Sequence, residues 1–137
     1  MGGCLVEGRW TPKEDWEAGA TGEFQRQESE FRDWVQRPES GRYHLYVSYA
    51  CPWAHRTLIV RTLLGLGDAI TYSTVHPLML NNGWYFDKAD ADFPSADPVH
   101  GKRFLHEIYT RAKPDFSGRV TVPVLWDKTA DRLVNNE

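Results

Sequence analysis

Hydrophobic and polar positions divide this chain into segments of period two and segments of period near 3.6. Tyr43, Leu45, Val47 and Tyr49 alternate with His44, Tyr46 and Ser48, which predicts a β-strand. Directly downstream, Ala54, Leu58, Ile59, Leu63 and Leu66 recur at helical spacing. Pro52 stands where a first-turn proline is tolerated, because the N–H it lacks has no partner inside a helix. Ile70 to Val75 is β-branched and aromatic, and predicts a second strand parallel to the first through a right-handed crossover. A helix is expected from about Lys102, with Phe104, Leu105, Ile108 and Tyr109 on one face and Lys113-Pro114 as its stop. Val120 to Trp126 and Arg132 to Asn136 flank the polar turn Asp127 to Asp131 and read as an antiparallel hairpin.

Two stretches depart from this regularity. Residues 76–100 carry three prolines, paired asparagines and several aspartates, too long for an ordinary connection and therefore either functional or mobile. Residues 1–42 are rich in Gly, Glu, Arg and Trp. Within them Phe31, Trp34 and Val35 follow Ser29 at i, i+3 and i+4 spacing and predict one short helix, while the rest reads as irregular. The division is thus an N-terminal extension, 1–42, and a domain, 43–137, whose order β-α-β, insert, α-β-β is a thioredoxin-like α/β arrangement lacking its last helix.

Composition limits the alternatives. A chain of 137 residues, 41% of them hydrophobic, supports one modest core and leaves no room for a second domain. The net charge of −3 and the lack of any lysine and arginine cluster argue against nucleic acid, so the tryptophans at 10, 16, 34, 53, 84 and 126 read as packing groups rather than base-stacking platforms. No apolar run approaches the ~18–20 residues of a membrane span, and the N-terminus has no signal-like apolar core, so a soluble cytoplasmic chain without a membrane partner is expected. Met1-Gly2-Gly3-Cys4 falls short of an acylation pattern because Val6 replaces the Ser or Thr that pattern needs. The cysteines are Cys4, in a glycine-rich leader that nothing obvious orders, and Cys51; a structural disulfide is not expected.

Cys51 is the most informative position, because it closes the first strand and opens the first helix. Unpaired N–H groups and the positive end of the helix macrodipole favour a thiolate there. A buried, inert cysteine is the plain alternative, but flanking Pro52, Trp53 and His55 at such a junction favour a reactive thiol. Ala54 occupies the place of the second cysteine in a Cys-x-x-Cys pair, which points to monothiol chemistry. Cys51 and His55 lie at i and i+4 and, with His44 or His76, could be imagined as metal ligands. No second thiol or His-x3–5-His spacing supports that, and no metal is expected. Pro123 removes a ladder donor from a strand pattern. It reads either as an edge-strand trans proline or as a cis proline facing the cysteine, with the backbone of Val122 left to pair with a peptide-like ligand.

These residues resemble the glutathionyl-hydroquinone reductases, or Xi-class glutathione transferases. The segment Arg42-Tyr43-His44-Leu45-Tyr46-Val47-Ser48-Tyr49-Ala50-Cys51-Pro52-Trp53-Ala54-His55-Arg56 is similar to that family's active-site strand and helix. Asn82-Gly83-Trp84, Ser117 to Lys128, Asn135-Asn136-Glu137, Gly22 to Arg26 and Ser29 to Trp34 are similar to its other signatures, so the resemblance spans nearly the whole chain. It implies a thioredoxin-like glutathione transferase N-terminal domain. It also implies a glutathione site in which Cys51 is the nucleophile and Trp84 packs against the tripeptide. Arg119 would meet its glycine-end carboxylate, Val122 would bond its cysteinyl backbone, Pro123 would be the structural cis proline, and Glu137 would begin the γ-glutamyl clamp. The implied reaction is reductive removal of glutathione from glutathionyl-hydroquinones, with glutathione as co-substrate and a Cys51–glutathione disulfide as intermediate. Members of the family continue with a serine, a closing helix and an all-helical domain that lines the quinone pocket and carries much of a homodimer contact. A chain stopping at Glu137 is therefore expected to be impaired on its own, and a non-catalytic glutathione-binding or interaction module is the alternative.

Overall fold

The computed structural model describes residues 2–12 and 28–137. Its elements in chain order are β1 (Gly3–Val6), β2 (Arg9–Pro12), β3 (Tyr43–Val47), α1 (Pro52–Leu63), β4 (Ile70–Thr74), α2 (Leu105–Ala112), β5 (Gly118–Arg119), β6 (Val124–Asp127) and β7 (Arg132–Asn135). Four strands form a mixed sheet in the order β4-β3-β6-β7, with β3 parallel to β4 and antiparallel to β6, and β6 antiparallel to β7. This is the thioredoxin-like topology expected from the periodicity.

The crossover between β3 and β4 is made by α1. Its C-terminus is a Schellman motif: Gly65, at φ 65°, donates to the Thr62 carbonyl, and Leu66 donates to that of Arg61. The helix therefore ends at Leu63, and Leu66 lies outside it. Its apolar residues are less buried than their spacing suggests. Ala54 alone is buried, whereas Ile59, Val60 and Leu63 are exposed. Leu45 and Leu125 on the facing side of the sheet line, with Val60, Leu66, Ile70 and Trp34, an apolar groove of about 620 Å³.

Side chains alternate across a strand, so Tyr46 and Trp126 look away from that groove. The long insert covers them. Tyr46 meets Phe86 edge-on and donates its hydroxyl to Asp97, and His100 sits edge-on to Trp126. Asp97 is buried, and besides the Tyr46 hydroxyl it accepts the N–H groups of Val99, His100 and Lys102. Those bonds hold its carboxyl below the ordinary carboxylate range against the cost of burial. The insert is thus pinned to the sheet by a buried carboxylate, and β3 is buried along its whole length, its polar positions included. The α2 helix starts where Glu107 accepts the N–H groups of Arg103 and Phe104, and it buries Leu105, Ile108 and Tyr109 as its spacing predicts.

Three expectations need correction. First, no helix forms over residues 29–35. Phe31 inserts against Tyr109 and Phe116, and Arg32 forms an antiparallel bridge with Asn135, so tertiary pairing overrides the helical spacing. Second, the start of the extension is ordered: β1 and β2 form a hairpin, and β1 pairs with β5 in a second, three-stranded sheet. Cys4, expected to lie in an unordered leader, is a strand residue opposite Arg119. Third, Val120 to Trp126 is not one strand. Pairing with β1 ends at Arg119 and pairing with β3 begins at Val124, the intervening residues including Pro123, which has no N–H to donate. Gly22 to Arg26 and Trp16 lie outside the described residues.

Candidate functional site

The break between β5 and β6 and the start of α1 enclose a groove of about 470 Å³. Cys51, Trp84, Arg119, Val122, Pro123 and Glu137 all line it. Positions from four parts of the sequence therefore converge on one cleft.

Cys51 is the N-cap of α1, in extended conformation, and its carbonyl accepts the first intrahelical bond from His55 at 3.0 Å. No side chain caps this end and no acidic residue stands in the first turn, so nothing from those positions neutralises the positive pole of the helix. The sulfur is half-buried and lies 3.8 Å from the carbonyl oxygen of Val122, a long thiol hydrogen bond. The Val122–Pro123 peptide is cis, and among the described residues no acceptor binds the Val122 N–H. A buried backbone donor without a partner is uncommon in a folded chain, and here it borders a cleft.

The remaining walls carry charge and aromatic surface. Trp84 is half-buried against the core, and its carbonyl accepts the N–H of Leu105, which ties it to the start of α2. Arg119 is an exposed residue of β5. The carboxylate of Glu137 pairs with Arg32 at 3.0 Å, and its backbone N–H donates to the side chain of Asn135 at 2.8 Å. The walls of the cleft thus carry a guanidinium and a carboxylate together with a backbone amide and a sulfur. That set suits an extended, zwitterionic, peptide-like ligand.

Sequence reasoning assigned no site role to Trp53, Arg56, Met79, Val120, Thr121 and Asn136, which also line the cleft. The guanidinium of Arg56 lies over the Trp53 ring at 4.8 Å. Trp53 is more than half exposed, and its adjacency to Cys51 was the one signal available. Two of the three histidines weighed as metal ligands, His44 and His76, are engaged elsewhere. His44 has both ring nitrogens within 2.9 Å of the hydroxyls of Thr71 and Ser73, and His76 accepts the N–H of Leu78 and pairs with Asp90.

Comparison with known proteins places this geometry. The family model for the glutathione S-transferase N-terminal domain matches residues 50–137. The chain is 47% identical to the glutathionyl-hydroquinone reductase YqjG of Escherichia coli K12, over 98% of its own length and 45% of that protein's. It is 44% identical to the glutathionyl-hydroquinone reductase PcpF of Sphingobium chlorophenolicum, over 98% of its own length and 44% of that protein's. Among solved structures, the Xi-class glutathione transferase of Natrialba magadii superposes with a TM-score of 0.83 at 50% identity, covering 99% of this chain and 42% of that one. The glutathione-bound structure of YqjG superposes with a TM-score of 0.76 at 44% identity, covering 98% of this chain and 42% of that one. The chain spans less than half the length of the curated relatives it matches. By the family match and by the thioredoxin-like sheet beneath the cleft, it belongs to the glutathione S-transferases, carrying their N-terminal domain with relatives in the Xi class.

Proposed function

We propose that this chain forms the glutathione-binding and thiol-reactive half of a glutathionyl-hydroquinone reductase. The observation that carries the reading is the meeting, in one cleft, of the Cys51 sulfur and the open Val122 backbone, with Arg119 and Glu137 lining the same walls. Glutathione has a carboxylate at its glycine end and an amino acid headgroup at its γ-glutamyl end. Arg119 receives the first as a cation, Glu137 receives the ammonium of the second, and the backbone of Val122 pairs with the cysteinyl residue between them. Trp84 supplies an apolar wall.

The chemistry then needs one thiol from the protein. The Cys51 thiolate attacks the sulfur of a glutathionyl-hydroquinone and forms a Cys51–glutathione disulfide. The carbon–sulfur bond breaks, and the ring carbon takes the bonding pair and a proton, releasing hydroquinone. A second glutathione thiolate attacks the glutathionyl sulfur of the mixed disulfide, returns Cys51 as thiolate and leaves as oxidised glutathione. The ring carbon of the glutathionyl-hydroquinone is reduced by two electrons, which the two glutathione sulfurs supply on forming their disulfide.

Intact-mass measurement after exposure to oxidised glutathione tests the reading. One glutathionyl adduct is expected on the wild-type chain and on Cys4→Ser, and none on Cys51→Ser. An adduct that forms equally on Cys51→Ser would overturn the assignment of the nucleophile. No adduct on the wild-type chain would overturn the thiol-reactive reading itself.

A further inference from the structure

The hydroxyl of Tyr109 joins two edges of the cleft. Tyr109 is fully buried on α2. Its hydroxyl donates to the Thr121 carbonyl at 2.8 Å and accepts the Thr121 N–H at 3.2 Å and the side-chain amide of Asn136 at 3.0 Å. A phenolic oxygen has one proton and two lone pairs, and all three are used here. The proton goes to Thr121, so Asn136 must present its NH2 group to the remaining lone pair.

The positions of these partners give the contact its meaning. Thr121 immediately precedes Val122-Pro123, and Asn136 immediately precedes Glu137. Neither belongs to a strand: β6 begins at Val124 and β7 ends at Asn135. The β6–β7 ladder reaches only to Leu125 and Asn135, and beyond it the Tyr109 hydroxyl ties Thr121 directly to Asn136, from a side chain that does not line the cleft. Its ring is held independently, edge-on to Phe31 and tilted against Phe116, which gives the hydroxyl a rigid mount.

We propose that Tyr109 is a positioning residue for the glutathione site, setting the spacing between the segment that binds the cysteinyl backbone and the segment that binds the γ-glutamyl end. This rests on the functional reading above. Tyr109→Phe keeps the ring and its packing and removes only the hydroxyl, leaving the N–H and C=O of Thr121 and the Asn136 amide without their shared partner. Removing a shared partner inside a buried network costs every group that it served.

The test compares two ligands of Cys51 on the full 137-residue chain. Calorimetric titration with glutathione reads the spacing between the two segments. The rate of alkylation by iodoacetamide, which is small, uncharged and needs no peptide-binding group, reads the sulfur and its immediate surroundings. Tyr109→Phe is expected to weaken glutathione binding about tenfold and to leave the alkylation rate within about twofold of wild type. Asn136→Ala, which removes one arm of the network, is expected to weaken glutathione binding by a smaller factor, and it decides the matter if Tyr109→Phe fails to fold. Wild-type affinity in a folded Tyr109→Phe would overturn the proposal, as would equal losses of affinity and alkylation rate, which mark general loosening. A wild-type chain that binds no glutathione would instead overturn the functional reading and this proposal with it.

Discussion

The guanidinium of Arg42 grips the carboxylate of Asp127 with two parallel bonds, Nε to Oδ1 at 2.9 Å and Nη2 to Oδ2 at 2.7 Å. The pair joins the residue before β3 to the last residue of β6, at the edge where Tyr43 stands opposite Asp127. Asp127 Oδ1 also accepts the N–H groups of Thr129 and Ala130, so one buried carboxylate closes the β6–β7 turn and locks it to β3. The Arg42 bond and these turn bonds hold the Asp127 carboxyl below its ordinary range.

Asp127→Ala should therefore be among the costlier single changes in the chain. It strips a mostly buried arginine of its bidentate partner and leaves two turn amides unserved, a loss on the order of 3 kcal/mol. Arg42 can still reach Glu39 at 3.2 Å, which softens the effect without replacing the turn bonds. Urea denaturation of wild type and variant measures it. A shift of the midpoint within error would show that the pair is ornamental.

Much of this architecture can be read from the chain because short-range rules and tertiary packing agree there. The strand over Tyr43–Val47, the helix that Pro52 opens, the Leu105–Ile108–Tyr109 face and the final hairpin all follow from period and punctuation. The N-terminal hairpin was illegible for a physical reason. Its two-residue turn is Glu7-Gly8, both at positive φ, and Glu carries none of the turn signal that Asn or Asp gives at that position. The stretch after Ser29 was misread because Phe31, Trp34 and Val35 have helical spacing, yet Phe31 finds its partners in Tyr109 and Phe116, about 80 residues away. Burial of both faces of β3 depends on the insert, whose docking rests on Asp97 rather than on any periodic pattern.

The same contrast holds at the candidate site. Cys51 and Pro123 announce themselves through local context, a strand-to-helix junction and a proline within an apolar run. Arg119, Glu137 and Trp84 carry no local signal and came only through resemblance. Tyr109 and Asn136 were invisible as a pair, because their meeting depends on how α2 crosses the end of β7, and in the sequence one reads as a helix-face residue and the other as the end of a strand.

Acidification should weaken the fold through His44. Burial, aided by the positive charge of Lys128, lowers its pKa from 6.5 to about 4. A histidine lowered in the folded state takes up its proton first when unfolded, so its neutral-form stability is fully present above pH 6.5 and is lost as pH falls from there towards 4. The loss integrates to about 3 kcal/mol. His100 and His106, also lowered by burial, act in the same direction. Denaturation midpoints measured from pH 7 to pH 4 should fall steadily, and His44→Gln should flatten the slope while lowering the starting value. An unchanged slope in that variant would assign the effect to the other histidines.

Gly8→Ala tests whether the N-terminal hairpin belongs to the site. Gly8 sits at φ 75°, and a Cβ there would lie 1.9 Å from the Pro114 carbonyl oxygen, a backbone atom that cannot swing aside. The strained φ alone costs about 1–2 kcal/mol, and the clash must also break the bond from the Gly8 N–H to the Phe116 carbonyl. Because β1 is the partner strand of β5, loosening the hairpin frees the strand that carries Arg119. Limited proteolysis should cut the variant faster within residues 2–12, and its glutathione affinity should fall. Faster cleavage with unchanged affinity would confine the hairpin to a structural role.

Arg119 gives the last prediction, because its proposed contact with the glycine-end carboxylate separates charge from geometry. Arg119→Ala removes the cation and should weaken glutathione binding by about tenfold, within the range for a hydrogen bond to a charged group. Arg119→Lys keeps the charge but loses the planar fork, and should recover only part of the affinity, since an ammonium meets a carboxylate as a point rather than in two parallel bonds. The strand pairing of β5 with β1 runs through backbone atoms, so neither change disturbs the sheet directly. A γ-glutamylcysteine ligand, which lacks the glycine, adds an internal control: its binding should be weaker than that of glutathione to the wild-type chain and nearly insensitive to either substitution. Equal losses for glutathione and for the truncated ligand would place the effect of Arg119 on the fold of the cleft instead of on the glycine carboxylate.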